Sequence, residues 1–542
     1  MSACSPATFS PSVFGAEIIS LGATLVTNYS AVIDGLYRFG MPSVELINAT
    51  FCNVTVTYTH PGQNDSIIVE AWLPTADNWN ERFLAVGGAG WGAGRFDLAW
   101  LDMAGAIADG YATITTDAGL VSTTDPSGWA LLSPGNVNLY DLQNFASVSL
   151  DDEAKIGKSL IQSFYGQEPI YSYWNGCSQG GRQGLMLAQR YPTAYDGIAA
   201  ASPGIYWNEF FSSLTPIVEV TASWLNVAAI ALTPDYVPRT LEEGEHPYSC
   251  EFEAITNAAI AACDLLDGVT DGIISEVDLC LATFDPFQLV GTTINCTEKS
   301  EGVTQVSSAA ALVTNATWHG VLTTDGKHWW HGLNPGANLI DFNGSPGVAA
   351  TNCTDQGCVG IPGGLAPPWW QYFVAKDPNF DSSNLTHREF DALVHKGHQE
   401  YTSIIGTDDP DLSAFRDVGG KMVTYHGLAD ELIPPKGSEQ YYNAVGTLIP
   451  EVEDFYRYYQ VPGMGHCGGG ASGSPLNLFQ QLRAWVENGT VPQSTPVTVT
   501  DLEGVVQNRI VCPYPQKTNQ QDFDPSYEYI SRALSSLRGP VP

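Results

Sequence analysis

Basic residues are scarce in this 542-residue chain: 22 lysines and arginines stand against 58 aspartates and glutamates, a formal net charge of −36. A surface so anionic is repelled by nucleic acid and by anionic membrane faces, so neither is expected as a partner. Long apolar runs are missing too. No stretch of 18 or more apolar residues occurs, which excludes a helix able to span a bilayer. No internal repeat and no low-complexity tail is found, so a solenoid or tethered array is excluded. A signal peptide is not visible either, because Met1 to Cys4 leads straight into a polar Ser/Pro stretch.

What is present points outside the cytosol. Eleven cysteines accompany ten Asn-x-Ser/Thr sequons, at Asn28, Asn48, Asn53, Asn64, Asn295, Asn315, Asn343, Asn352, Asn384 and Asn488. Together with the low lysine content, they predict a secreted, disulfide-bonded glycoprotein whose signal peptide has been removed. The 44% hydrophobic content is that of a globular chain. A single core usually stops growing near ~250–300 residues, so a catalytic domain with one large additional unit is expected.

Strands and helices alternate through the first half. Strands are predicted at Ser66–Leu73, Phe83–Val86, Tyr111–Thr116, Tyr171–Trp174 and Ile198–Ala201, with helices at Asp151–Tyr165 and about Gln179–Tyr191. In the first helix Ile156, Leu160, Ile161 and Phe164 recur on one face. This alternation predicts an α/β fold, a parallel sheet covered by helices on both faces. From about Tyr206 to Leu412 the chain turns rich in Gly, Pro, Asn, Cys and Trp, carries five of the ten sequons, and has poor periodicity. The pattern resumes with strands at Lys421–Tyr425 and Phe455–Val461 and helices near Ser438–Val445 and Pro475–Glu487. The expected division is residues 1–205 and 413–542 for a catalytic domain and 206–412 for an inserted lid.

The strongest local signal is Gly176-Cys177-Ser178-Gln179-Gly180, a G-x-S-x-G pattern between a predicted strand and a predicted helix. Glycines there allow a turn too tight for a Cβ, which lifts the serine oxygen above the sheet. A serine nucleophile needs a base and an orienting acid, and in the α/β-hydrolase fold they follow in the order serine, acid, histidine. Asp430 ends Tyr425-His426-Gly427-Leu428-Ala429-Asp430 after one strand, and His466 lies in the glycine loop Pro462–Gly468 after the last. Ser178, Asp430 and His466 are therefore the expected triad, and His426 is read as a packing or supporting residue. Two N–H donors are needed for the oxyanion. Gln179 follows the nucleophile, and Gly88, with Ala89 close behind, lies in the glycine cluster after the Phe83 strand. Cys177 precedes the serine and Cys467 follows the histidine. An assembled triad brings them close enough for a disulfide. A bridged Cys177 has no thiolate, which argues against a cysteine-dependent enzyme.

Cys177-Ser178, Asp430 and His466-Cys467 resemble the CS-D-HC motif of the tannase and feruloyl esterase family. The resemblance extends from about Cys52-Asn53-Val54-Thr55 to Trp485-Val486-Glu487-Asn488-Gly489. It implies an α/β-hydrolase domain with a large lid between serine and aspartate. It also implies hydrolysis of phenolic-acid esters, such as those of plant cell walls, through an acyl-enzyme. Within the lid, Cys263-Asp264-Leu265-Leu266-Asp267-Gly268-Val269-Thr270-Asp271-Gly272-Ile273 holds three carboxylates and two glycines, a set suited to a hard cation. The loop resembles the family's lid calcium site. That implies structural Ca2+ held by the side chains of Asp264, Asp267 and Asp271 and the carbonyls of Val269 and Ile273. Expected bridges are Cys4–Cys52, Cys177–Cys467 and Cys263–Cys280, with Cys353 and Cys358 closing a short loop; Cys250, Cys296 and Cys512 have no assignable partner.

Feruloyl esterase is the leading reading and tannase the alternative. Some fungal tannases of the family are cut at a dibasic lid site, and no Lys-Arg or Arg-Arg pair occurs here. A non-catalytic binding protein on a hydrolase fold is the rival from another class; such proteins usually lose a triad member, and all three candidates are present. The lid is expected to supply most of a largely apolar substrate pocket. Its aromatics, Trp329-Trp330 and Trp369-Trp370-Gln371-Tyr372-Phe373, are expected mostly in the lid core. His328 with His331 and His395 with His398 lack the further ligands zinc would need.

Overall fold

Nine strands build one mixed sheet in the computed structural model, which describes residues 3–120, 125–214, 246–342, 344–354, 357–361, 364–381, 385–501 and 503–517. They are β1 (Glu17–Ile33), β2 (Val44–Thr59), β3 (Ile67–Pro74), β4 (Arg82–Val86), β5 (Ala112–Thr116), β6 (Tyr171–Cys177), β7 (Gly197–Ala201), β8 (Lys421–Gly427) and β9 (Tyr456–Val461). Their order is β1-β2-β3-β5-β4-β6-β7-β8-β9. Pairing is antiparallel from β1 through β3 to β5 and parallel from β5 to β9. The parallel strands are buried on both faces because helices cover both.

The longer helices among the described residues are α1 (Asp97–Ala108), α2 (Ser149–Tyr165), α3 (Gln179–Arg190), α4 (Trp207–Leu214), α5 (Ser249–Cys263), α6 (Ser308–His319), α7 (His387–Ile405), α8 (Pro435–Leu448) and α9 (Leu478–Asn488). Successive side chains along a strand point to opposite faces. Trp174 therefore joins the core formed with α2, α3 and α8, and its neighbour Tyr173 joins the core formed with α1 and α9. This is the α/β-hydrolase architecture the sequence predicts, with two differences. The long hairpin β1–β2 was not predicted, because β1 is an edge strand whose only buried residue is Ile33, so no clear alternation marks it. Helix α1 was not predicted because it is apolar on nearly every side, with Met103, Ala104, Gly105, Ala106 and Ile107 all buried.

The inserted segment has more regular structure than its periodicity suggests. In α7, Phe390, Val394, Gly397, Tyr401 and Ile405 form the buried stripe; α5 and α6 are rich in alanine, which leaves their faces weakly marked. Trp369, Trp370 and Phe373 are buried in a core that also takes Trp91, Trp129 and Phe145 from before the insertion. Trp91 stacks on Phe373 at 5.3 Å and on Phe211 at 5.3 Å. Among the described residues no helix is long and apolar enough to cross a membrane.

Five disulfides close the chain: Cys4–Cys52, Cys177–Cys467, Cys250–Cys296, Cys263–Cys280 and Cys353–Cys358. The Cys250–Cys296 pair was not assignable from sequence. Its members sit on α5 and beside a short hairpin that only packing brings together. Cys512 lies outside these five bridges.

Candidate active site

Ser178 stands between β6 and α3 with φ +61° and ψ −118°. A non-glycine residue in this region is strained, and such strain persists only where the surroundings enforce it. Here they do. The Ser178 N–H donates to the Ala201 carbonyl (3.0 Å), and its carbonyl accepts from the Arg182 N–H (2.9 Å). Gly176 permits the turn, since a Cβ there would lie 2.9 Å from the Gly180 backbone. The loop after β4 closes on the same point: a Cβ on Gly87 would meet Gly180 Cα at 2.6 Å.

Asp430 follows β8 and is fully buried. Its Oδ1 accepts from the N–H groups of Leu432 (2.8 Å) and Ile433 (2.7 Å). Its Oδ2 accepts from His466 Nδ1 (2.9 Å) and His426 Nε2 (3.0 Å). Burial alone would raise this carboxyl, but the His466 charge and the hydrogen bonds from both imidazoles hold it well below the usual range. His426, read from sequence as a supporting residue, is itself buried. Its Nε2 also faces the Ile433 carbonyl (3.1 Å), and its Nδ1 faces Ser438 Oγ (2.8 Å). Two acceptors at Nε2 assign the proton there and leave Nδ1 to accept from the serine hydroxyl.

His466 donates Nδ1–H to Asp430, which leaves Nε2 free of that bond. Its backbone N–H donates to Glu431 Oε2 (3.0 Å), and the Phe342 ring packs edge-on at 5.4 Å. Burial would lower the imidazole, but the Asp430 charge, the bond to it and the Glu431 charge raise it above its ordinary value. Glu431 carried no sequence signal, since its role depends on where the histidine loop folds back.

The Cys177–Cys467 bridge spans a sequence separation of 290. It joins the residue before Ser178 to the residue after His466, and an imidazole nitrogen lies within 4.8 Å of both sulfurs. Ser178 and His466 line one cavity of about 780 Å3.

The expected oxyanion donors need a correction. The Gly88 N–H donates to Gln183 Oε1 (2.9 Å), and the Gly88 carbonyl accepts from the Gly180 N–H (3.0 Å). Gly88 therefore holds the two loops together and its N–H is already engaged. Ala89, the next residue of that loop, lines the cavity. Gln179 opens α3, in the first turn, where N–H groups have no partner within the helix.

The cavity walls also differ from expectation. The segment 206–412, expected as the lid, contributes Phe342, Pro346, Val348 and Leu365, but Phe39, Phe96, Leu98 and Asp102 come from residues 1–205. The tryptophan pairs are not on the wall; Trp369 and Trp370 are buried in the core, as expected for most lid aromatics.

The acidic lid loop turns at Gly268 (φ +88°) and Gly272 (φ +78°). Asp264 Oδ1 accepts from the N–H groups of Asp271 (2.9 Å) and Gly272 (3.0 Å), and Asp267 Oδ1 from that of Val269 (2.8 Å). Asp267, Val269, Asp271 and Ile273 line a small cavity of about 120 Å3. Burial raises the Asp271 carboxyl, opposed by Arg509, which pairs with its Oδ2. The donor types suit a hard cation, but Asp264 does not line that cavity and the three aspartates do not bring their carboxylate oxygens within 4.8 Å of one another. Arg509 is the cation's competitor for Asp271.

Residues 52–529 match the family model described as tannase and feruloyl esterase. A probable feruloyl esterase of Arthroderma benhamiae is 38% identical over 521 residues, covering 93% of this chain and 88% of that protein. A tannase of Aspergillus oryzae is 28% identical over 517 residues, covering 86% and 83%. Among solved structures, tannin acyl hydrolase from Aspergillus niger superposes with a TM-score of 0.80 at 28% identity, covering 96% of this chain and 92% of that one. The chain belongs to the tannase and feruloyl esterase family of carboxylic ester hydrolases.

Proposed function

We propose that this protein is a secreted feruloyl esterase acting through Ser178, His466 and Asp430. Ser178 Oγ attacks the ester carbonyl carbon while His466 Nε2 takes its proton. The N–H groups of Gln179 and Ala89 stabilise the oxyanion. The imidazolium returns the proton to the departing alcohol, and water, activated by the same imidazole, releases the phenolic acid from the acyl-enzyme. Asp430 holds the Nδ1–H tautomer and balances the imidazolium. The observation that carries this reading is the shared cavity of Ser178 and His466, with their neighbours in one disulfide.

The choice of acyl group rests on the cavity wall. Phe39, Phe96, Phe342 and Leu365 present an apolar surface to an aromatic acyl chain. Gallate would place three hydroxyls against a wall whose polar groups are few, Asp102 and Glu431 among them, and any buried hydroxyl left without a partner is costly. The relative at 38% identity is named a probable feruloyl esterase, in keeping with this choice. The test is a panel of methyl ferulate, p-coumarate, caffeate, sinapate and gallate under one set of conditions. At least one hydroxycinnamate should exceed gallate by about tenfold or more in kcat/KM. A tenfold preference for gallate would make the enzyme a tannase and leave the triad reading intact.

The lid loop is read as a structural calcium site, with Asp264, Asp267 and Asp271 giving carboxylate oxygens and Val269 and Ile273 carbonyls. An ion bound only by the folded loop adds about 2.7 kcal/mol at a hundredfold excess over its Kd. Calcium should therefore raise the unfolding midpoint by a few degrees over chelator-treated protein, and Asp267→Ala should remove that difference. Equal midpoints with calcium and with chelator would reject the site.

Secretion is supported by the five disulfides and by the sequons. Asn28, Asn48, Asn64, Asn295, Asn352 and Asn488 are exposed. Asn53 instead donates its side-chain amide to Glu70 (3.1 Å), which makes it a poor acceptor for a glycan. Asn343 and Asn384 lie outside the described residues.

A further inference from the structure

Two carboxylates line the large cavity, and they are used differently. Glu431 accepts the His466 N–H at 3.0 Å. Asp102 lies on α1, is 3% exposed, and its Oδ1 is buried without a hydrogen-bond partner. Leaving a buried acceptor unpaired destabilises a fold, so its presence asks for a reason beyond packing. Arg38 pulls on Asp102 electrostatically but gives it no hydrogen bond. Arg38 pairs with Asp109 and donates to the carbonyls of Pro42 and Gly105. The residues around Asp102 on α1 are apolar, and Phe96, Leu98 and Ala99 share the cavity wall with it.

We propose that Asp102 is a specificity-determining residue whose carboxylate accepts a hydrogen bond from a hydroxyl group of the bound ester. The proposal rests on the reading that the ester substrate occupies this cavity. An acceptor in an apolar wall discriminates strongly, because an analogue without the donor leaves it unpaired. Burial pushes the Asp102 carboxyl up to about 7 against the pull of Arg38, with Asp109 adding to the rise. Both protonation states offer an acceptor oxygen. The donor is a hydroxyl on the aromatic acyl ring or on the alcohol portion; the chemistry is the same and the substrates below separate them.

Two ester pairs vary one hydroxyl at a time. Methyl ferulate against methyl 3,4-dimethoxycinnamate varies the acyl ring. 2-Hydroxyethyl against 2-methoxyethyl 3,4-dimethoxycinnamate varies the alcohol. The wild type should prefer the hydroxyl-bearing member of one pair. In Asp102→Leu, kcat/KM for that member should fall by about tenfold or more, while its methylated partner changes less than about twofold. Asp102→Asn, close in shape, should show a smaller selective loss. Equal wild-type rates within both pairs would overturn the proposal without any variant. A uniform loss across all four esters, or no loss, in folded variants would also overturn it, leaving the esterase reading in place. If the wild type hydrolyses none of the four, the functional reading falls and this one with it.

Discussion

Ser178→Ala is expected to lower kcat for a methyl hydroxycinnamate by at least about 10^3-fold, leaving only oxyanion stabilisation and binding. The fold should survive. The Ser178 side chain makes no capping hydrogen bond to α3, so truncation removes no structural partner. The backbone bonds to Ala201 and Arg182 that hold φ at +61° do not depend on the side chain. The variant should therefore unfold within a degree or two of the wild type and still bind ester. Measurement of kcat and of the thermal midpoint on the same preparation separates loss of chemistry from loss of fold. More than a tenth of wild-type activity in the purified variant would show that another nucleophile is at work.

Replacing Cys177 and Cys467 together by alanine should reduce kcat by about 10^2-fold, because a misplacement near 1 Å of a catalytic group costs that much. The bridge joins two short segments, and each carries a residue of the proposed triad next to its sulfur. Without it, the Pro462–Gly468 loop keeps the Asp430–His466 bond but loses its covalent link to the serine turn. KM should change less than kcat, since the cavity wall at α1 and in the lid is untouched. Loss of a disulfide also destabilises, typically by about 2–5 kcal/mol. Cys263→Ala with Cys280→Ala serves as the control: it removes a bridge in the lid and should lower stability while sparing kcat. If the Cys177/Cys467 variant, measured well below its unfolding midpoint, turns over within threefold of wild type, the bridge is a stability device only.

The elements legible in the sequence were those whose pattern is written within a few residues. Strands β3 to β9 announce themselves as short runs rich in apolar and β-forming residues, and α2 by the spacing of Ile156, Leu160, Ile161 and Phe164. Edge strand β1 and the apolar helix α1 were not legible. One exposes most of its length to solvent and the other is apolar on nearly every side, so neither shows a face. The wall residue Asp102 was missed for the same reason, being a single acid in a helix that periodicity does not reveal.

The G-x-S-x-G turn, the order of Ser178, Asp430 and His466 along the chain, the cysteines beside Ser178 and His466 and the acidic loop 263–273 are local facts, and sequence alone determined them. They are visible because tight turns demand glycine and because reactive groups belong to few residue types. Which partners these groups meet was decided only by tertiary structure. The Gly88 N–H goes to Gln183, Asp430 gathers both His426 and His466, Glu431 takes the His466 N–H, and Cys250 finds Cys296. Each of these contacts joins segments that are distant in sequence or meet through a folded-back loop. Packing of α1 and the lid over the sheet sets the cavity wall, and a chain read one window at a time carries no record of that geometry.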